Sequence, residues 1–380
     1  MYDCVVVGAG VEGSATAYQL AKRSQKVLLI EQFALPHTRG SSHGATRITR
    51  RAYEQSPLYT RLMGICFKEY EELGARYKQH LYVQTGALYF GTGDRVSAVA
   101  DSLKSHGLPF EHLDSEELTR RYRGHLRCPP GFQVLSDPSG GILKADKMLQ
   151  CFWKAIQEFG GEIKDEERVL EVIPDSTGVL VRIRTQKASY QARSLVLCLG
   201  AWAPKFLPRL GLHLPLKTEL IKVCHWAPRV PGSISVDNFP VILVIGRPHF
   251  YGLPAIEHNG LYKFCLHSGP SCDPEDRDMA DGAWCVSACR DYIRDYIPGL
   301  NTEPSVQESC IYTWTPDEHF ILDRHPQFKN IIIGAGFSGH GFKLAPAVGQ
   351  ILADFAMNRK SPFDLSIFKI DRFNTTTSRL

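Results

Sequence analysis

Residues 3–31 read as a complete strand–turn–helix–strand unit, and its glycine spacing leaves few folds open. Cys4-Val5-Val6-Val7 is a continuous apolar run of the kind buried on both faces of a parallel sheet. Gly8-Ala9-Gly10-Val11-Glu12-Gly13 supplies the turn, a helix is expected over Ser14 to Lys22, and Val27-Leu28-Leu29-Ile30 forms the second strand, closed by Glu31. Taken alone, G-x-G-x-x-G is weak, because glycines are common in turns. Here it follows a buried strand, opens a helix and has an acid at the end of the next strand, which is the context of a dinucleotide site. Gly8 permits the tight turn, Gly10 lets a pyrophosphate approach the backbone, and Gly13 lets helix and strand pack closely. The helix N-terminus offers N–H groups and partial positive charge to phosphates. Glu31 can accept from both ribose hydroxyls, and its charge disfavours a 2′-phosphate.

Two further segments fit the same sheet. Ser194 to Leu199 ends at Gly200-Ala201-Trp202, and Asn330 to Ile333 ends at Gly334-Ala335-Gly336, with a helix from about Ala345 to Ala356. Pro346 suits that helix start, where its missing N–H would have no partner. Between them, Leu81 to Phe90 and Leu212 to Ser268 carry short β-branched and aromatic runs punctuated by turns such as Val230-Pro231-Gly232 and Asn259-Gly260, a pattern of antiparallel hairpins. The expected fold is α/β plus α+β: a Rossmann-type domain from residues 1–80, 138–205 and 306–373, an inserted antiparallel-sheet substrate domain from 81–137 and 206–305, and a tail over 374–380.

Gly334-Ala335-Gly336-Phe337-Ser338-Gly339 repeats the glycine motif, but no second strand with a terminal acid follows it. It is therefore not a second nucleotide site of the same kind. A glycine-rich strand end near the C-terminus, with amides and positive charge, is what an extended FAD needs at its ring end. FAD is expected rather than NAD.

A formal charge of +4 with interspersed signs gives no nucleic-acid footprint, and no apolar run approaches the ~20 residues of a membrane span. No signal-peptide order precedes the first strand, so the eleven cysteines read as thiols. Cys285 and Cys289 are spaced as one helix face, and no Cys or His grouping has zinc spacing, so no metal is expected. Ser378-Arg379-Leu380 is a conservative variant of the Ser-Lys-Leu address, which implies a peroxisomal location and an import receptor as partner.

Longer strings carry a family resemblance. The N-terminal Gly-Ala-Gly, Pro36-His37-Thr38-Arg39-Gly40-Ser41-Ser42-His43-Gly44, Cys310-Ile311-Tyr312, Asp317-Glu318-His319-Phe320 and Gly336-Phe337-Ser338-Gly339-His340-Gly341-Phe342-Lys343 occur in order. Together they resemble the sarcosine oxidase family of the glycine/D-amino-acid-oxidase-like flavoproteins, from the first strand to near residue 373. The resemblance implies oxidation of the C–N bond of a small secondary or N-methyl amino acid, sarcosine or L-pipecolate, with O2 reduced to hydrogen peroxide by a monomer. It makes Cys310 the covalent attachment point to the flavin 8α carbon and Lys263 the cation that promotes oxygen reduction, with His267 beside substrate and ring in a K-x-x-x-H spacing. Arg50 and Lys343 match the pair that clamps the substrate carboxylate, as a bidentate and a point charge. Arg47 is expected against the flavin, and His43, Tyr251 and Tyr312 as pocket lining. Ser42, His43, Gly339, Gly341 and Lys343 complete the expected cofactor contacts.

Glu31 replaces the aspartate of some relatives, changing reach but not chemistry. Residues Thr218 to Trp226 and Val230 to Val244 differ more from bacterial relatives, which leaves substrate size open. Alternatives are an oxidase of N-methyltryptophan or of a fructosyl amino acid, a dehydrogenase passing electrons to a protein carrier, and a non-catalytic flavin-binding protein. The last could dispense with Lys263, Arg50 and Lys343, and all three are present.

Overall fold

The strand Tyr2–Val7 lies inside a parallel stack because every residue from Cys4 to Val7 is apolar and buried. It pairs in parallel with Val27–Ile30 (Val5 opposite Leu28) and with Ser189–Leu197 (Val6 opposite Val196). The stack continues through Ile331–Ala335 on one side and Glu162–Lys164 on the other, both parallel. Antiparallel strands Val169–Pro174 and Val181–Thr185, and Ile321–Arg324, extend its edges. The computed structural model describes residues 1–175 and 178–373. The expected address Ser378-Arg379-Leu380 and tail therefore lie outside the described residues.

The first helix spans Val11–Lys22, starting three residues before the expected Ser14 because Gly10, in extended conformation, already serves as its N-cap. Helix Ala345–Ala356, with Pro346 in its first turn, packs against it. Their approach is set by backbone: a Cβ on Gly349 would fall 2.6 Å from the carbonyl carbon of Ala15. These elements make one compact unit of residues 1–44 and 146–218 with the described residues from Ile311 on.

Residues 45–145 and 219–310 make the second unit. The expected limits shift there. Residues 45–80 and 138–145 leave the nucleotide-binding unit because Thr46–Thr49, Gly141–Lys144 and Tyr82–Gln84 pair into a three-stranded sheet of the second unit. Residues 306–310 join the second unit, and 206–218 the first. Its main sheet orders Leu300–Trp314, Lys217–Pro228, Tyr262–Leu266, Phe250–Pro254, Val241–Val244, Ala87–Gly91, Gln133–Asp137 and Glu111–Leu113. The antiparallel expectation holds for its hairpins, including the Asn259-Gly260 turn, where Gly260 has φ +79°. One pair departs from it: Ala87–Gly91 and Val241–Val244 run parallel. They come from two separate passages of chain through the unit, so no hairpin sets their direction. Helix Ala283–Tyr296 covers a core of Trp226, Phe250, Tyr262 and Phe264, with Cys285 and Cys289 both buried on its inner face as their spacing predicts. No helix among the described residues is long and apolar enough to cross a membrane.

Two glycines give opposite expectations. A Cβ on Gly13 would sit 1.9 Å from the Gly8 carbonyl oxygen, so Gly13→Ala should destabilise by about 3 kcal/mol or prevent folding. Gly64 is exposed within helix Pro57–Tyr77 with open space at its Cβ, and Gly64→Ala should stabilise by about 0.5–1 kcal/mol. Urea unfolding of both variants checks the pair.

Candidate active site

In the first unit the glycine turn is held by its own neighbours. Gly8 adopts φ +100°, and a Cβ there would meet the Cys198 carbonyl oxygen at 2.2 Å. Ser14 Oγ donates to the Ala9 carbonyl (2.9 Å) and accepts from Trp153 Nε1 (2.9 Å), pinning turn and helix start together. Ser42 Oγ accepts from the Val11 N–H (3.0 Å) and would crowd a Cβ on Gly10 at 3.2 Å. Glu31 is oriented by the same turn: one carboxylate oxygen accepts from Ala9 N–H (2.8 Å), the other from Gln32 and Phe33 N–H (2.8 and 3.2 Å). A carboxylate has about four acceptor positions, two on each oxygen, so the oxygen bonded to Ala9 keeps capacity for a ribose hydroxyl.

Glu12 is the residue that sequence reasoning passed over. Its side chain is buried in the first helical turn and Oε2 has no hydrogen bond, while burial pushes its carboxyl well above the usual carboxylate range. Glu12, its charged form disfavoured by burial, repels a phosphate at the helix N-terminus less strongly. It also marks where the two ends of the chain meet, since a Cβ on Gly341 would lie 2.8 Å from Glu12 Oε1 and 2.6 Å from Phe337 Cβ. The uncapped helix start and the side-chain-free Gly10 and Gly341 fit an extended dinucleotide. Gly339 takes φ +73° beside Ser338, whose hydroxyl bonds to Thr315 and Gly336. Lys343, buried, donates from Nζ to the His340 carbonyl (3.4 Å), and Tyr312 lies edge-on to Trp314 at 5.7 Å. His43 belongs to this unit as well.

The second unit holds Arg47, Arg50, Tyr251, Lys263, His267 and Cys310. Lys263 is buried in strand Tyr262–Leu266 and ion-pairs with Glu257, while its Nζ also donates to Thr46 Oγ1 at 2.6 Å. Thr46 Oγ1 in turn donates to Glu257 at 2.8 Å. Burial would raise the Glu257 carboxyl, but nearby His225 and Lys263 override that and hold it below the usual carboxylate range. Arg47, on the same short strand as Thr46, donates to the Thr46 carbonyl at 2.7 Å.

Arg50 is equally buried. One terminal nitrogen donates to the Ala52 carbonyl (3.0 Å) and to Glu54 (3.4 Å), and the guanidinium stacks on Tyr53 and Tyr89 at 4.5 and 5.6 Å. Burial alone would lower its pKa, but Tyr89, Glu54 and Tyr53 raise it, so the charge is fixed. Its Nε–H, also buried, has no hydrogen-bond partner, which is the donor an incoming carboxylate would need. His267 follows strand Tyr262–Leu266, its ring 4.4 Å from His249 and 5.8 Å edge-on from Tyr251. Cys310 is buried near the end of strand Leu300–Trp314. Glu257, Thr46, Glu54, Tyr89 and His249 had no signal in sequence, because each acquires meaning only through the cation or ring beside it.

Residues 3–355 match the family DAO, described as FAD dependent oxidoreductase. The chain is 45% identical to peroxisomal sarcosine oxidase of Mus musculus, covering 98% of this chain and 97% of that protein. The chain belongs to the sarcosine oxidase family of FAD-dependent oxidoreductases. Monomeric sarcosine oxidase of a Bacillus species is 34% identical over 98% of this chain and 96% of its own. The fold recurs in NikD, described as an unusual amino acid oxidase, with TM-score 0.83 at 24% identity and 97% of each chain covered.

The Lys263–Glu257 pair makes stability depend on pH in a definite direction. The folded Glu257 pKa lies below its unfolded value, so its contribution is complete above about pH 4.3 and is lost as pH falls further toward the folded pKa. Glu257→Gln leaves a buried ammonium without its counter-charge and should cost about 3–5 kcal/mol at pH 7. The difference from the native chain should shrink when urea unfolding is repeated below pH 4.

Proposed function

We propose that this chain oxidises the C–N bond of a small secondary or N-methyl amino acid, with sarcosine and L-pipecolate as leading substrates, giving an imine and hydrogen peroxide from O2. The observation that carries the reading is the pair of buried, ion-paired side chains Lys263 and Arg50 on a chain of this family. Bound FAD would supply the two-electron oxidant for the C–N bond, with O2 as the final acceptor.

Gly8, Gly10, Gly13, Glu31, Ser42, Gly339 and Gly341 would hold the cofactor, and Arg47 and His43 would contact it. Cys310 would carry it through a thioether to the 8α carbon. Arg50, through its unpaired Nε–H, and Lys343, as a point charge, would bind the substrate carboxylate. Fixing that end leaves the amine as the group that must lose its proton before reaction. His267, Tyr251 and Tyr312 would shape the pocket for it. Lys263, ion-paired with Glu257, would stabilise negative charge developing on oxygen where water is excluded.

A peroxisomal location follows the names of the mouse and human relatives, and a monomer the name of the bacterial ones. A bulkier N-substituted substrate would show itself as turnover of N-methyltryptophan or a fructosyl amino acid in preference to sarcosine. A peroxide assay of the purified protein against sarcosine, L-pipecolate, proline and those two compounds is expected to rank the first two highest; no peroxide from any of them would defeat the reading.

Lys263→Met is expected to leave anaerobic bleaching of the flavin by substrate within a few-fold while slowing reoxidation by air at least about a hundredfold. Stopped-flow absorbance separates the two steps. Acid precipitation tests Cys310: the wild-type pellet should stay yellow and the Cys310→Ser pellet should be colourless.

A further inference from the structure

We propose that His225, His258 and Glu308 form a binding site for one divalent metal ion of the zinc class. The three are far apart in sequence and meet through the sheet of the second unit. His225 lies on strand Lys217–Pro228, directly opposite Lys263 of the antiparallel neighbour. His258 sits in the turn between Phe250–Pro254 and Tyr262–Leu266, and Glu308 on Leu300–Trp314, the strand flanking that of His225. One ligand atom from each lies within 4.8 Å of the other two. His258 Nε2 is 3.9 Å from Glu308 Oε1, and the two imidazoles meet edge to face with centroids 4.5 Å apart.

A second observation points to a ligand. The His225 side chain is 0% exposed, yet neither ring nitrogen makes a hydrogen bond; the Glu257 carboxylate stands off at 3.6 Å. Buried imidazoles normally have both nitrogens engaged, by hydrogen bonds or by a metal. The donor set decides the chemistry. Two imidazoles and one carboxylate suit zinc and its neighbours, with a fourth position left for water, whereas calcium and magnesium require oxygen ligands. Zinc bonds of about 2.0–2.2 Å bring donors to about 3.4 Å from one another, so atoms now within 4.8 Å must close by up to about 1.4 Å. His258 and Glu308 can supply that movement because both are partly solvent-exposed, while His225 is the fixed point. Charge agrees: Lys263 neutralises Glu257, and the Glu308 carboxylate remains to offset the dication. None of the site's ligands was assigned to substrate or cofactor, and His225 abuts the Glu257–Lys263 pair.

Flavin-loaded protein, stripped of metal with a chelator, is titrated with zinc sulfate against a fluorescent zinc indicator. One zinc per chain is expected, with Glu308→Gln and His258→Ala each weakening it at least about tenfold and magnesium failing to compete. Both positions are partly exposed, and far-UV circular dichroism verifies that the variants are folded. Zinc held equally by the double variant would mean that other groups, such as the thiols, bind it and would overturn the proposal; so would wild-type protein that takes up no zinc.

Discussion

The first unit depends on backbone standing where side chains normally stand. The Gly8 carbonyl occupies the space of a Gly13 Cβ, the Cys198 carbonyl that of a Gly8 Cβ, and Ala15 that of a Gly349 Cβ. Because of these approaches the first helix presses against the strand before it and the helix Ala345–Ala356 beside it. The Phe337–Gly341 loop is thereby carried to the first turn, against Glu12. Residues more than three hundred positions apart thus form one cradle, and no single side chain larger than hydrogen at Gly13 would permit it.

The second unit solves a different problem, that of keeping cations charged out of water. An isolated ammonium would lose its proton on burial or stay in solvent, and a guanidinium, which keeps its proton, would stay in solvent. Lys263 has Glu257 and Thr46, and Arg50 has Glu54 with two aromatic faces. Such pairs are weak evidence for stability, because desolvation offsets most of the attraction. Their retention makes sense where a fixed charge is used.

Elements with a continuous apolar signal were legible in sequence: Val27–Ile30, Ile331–Ala335 and helix Ala345–Ala356 lie where the pattern placed them, within two residues. The division of the chain was less so. Thr46–Thr49 has no hydrophobic alternation of its own, and only its pairing with Gly141–Lys144 draws residues 45–80 out of the nucleotide-binding unit. Site residues divide in the same way. Gly8, Gly10, Gly13 and Glu31 announce themselves by local spacing, whereas Glu257 and the His225–His258–Glu308 group are brought to their partners by the sheet and its turns, which no linear pattern encodes. The absence of zinc spacing in the sequence is no guide to ligands brought together from two strands and a turn.

Those pairings change how an anionic substrate would be recognised. Counting Arg50 and Lys263 as two free positive charges overstates the field, because Glu54 and Glu257 cancel most of it at a distance. What remains is directional: the Arg50 Nε–H is buried and unpaired, and its donor geometry is fixed by stacking on Tyr53 and Tyr89. Specificity for a carboxylate would then come from satisfying a donor that is otherwise left without a partner, a penalty that a neutral ligand lacking an acceptor cannot remove. Long-range steering would contribute little, so binding governed by Arg50 should depend weakly on ionic strength.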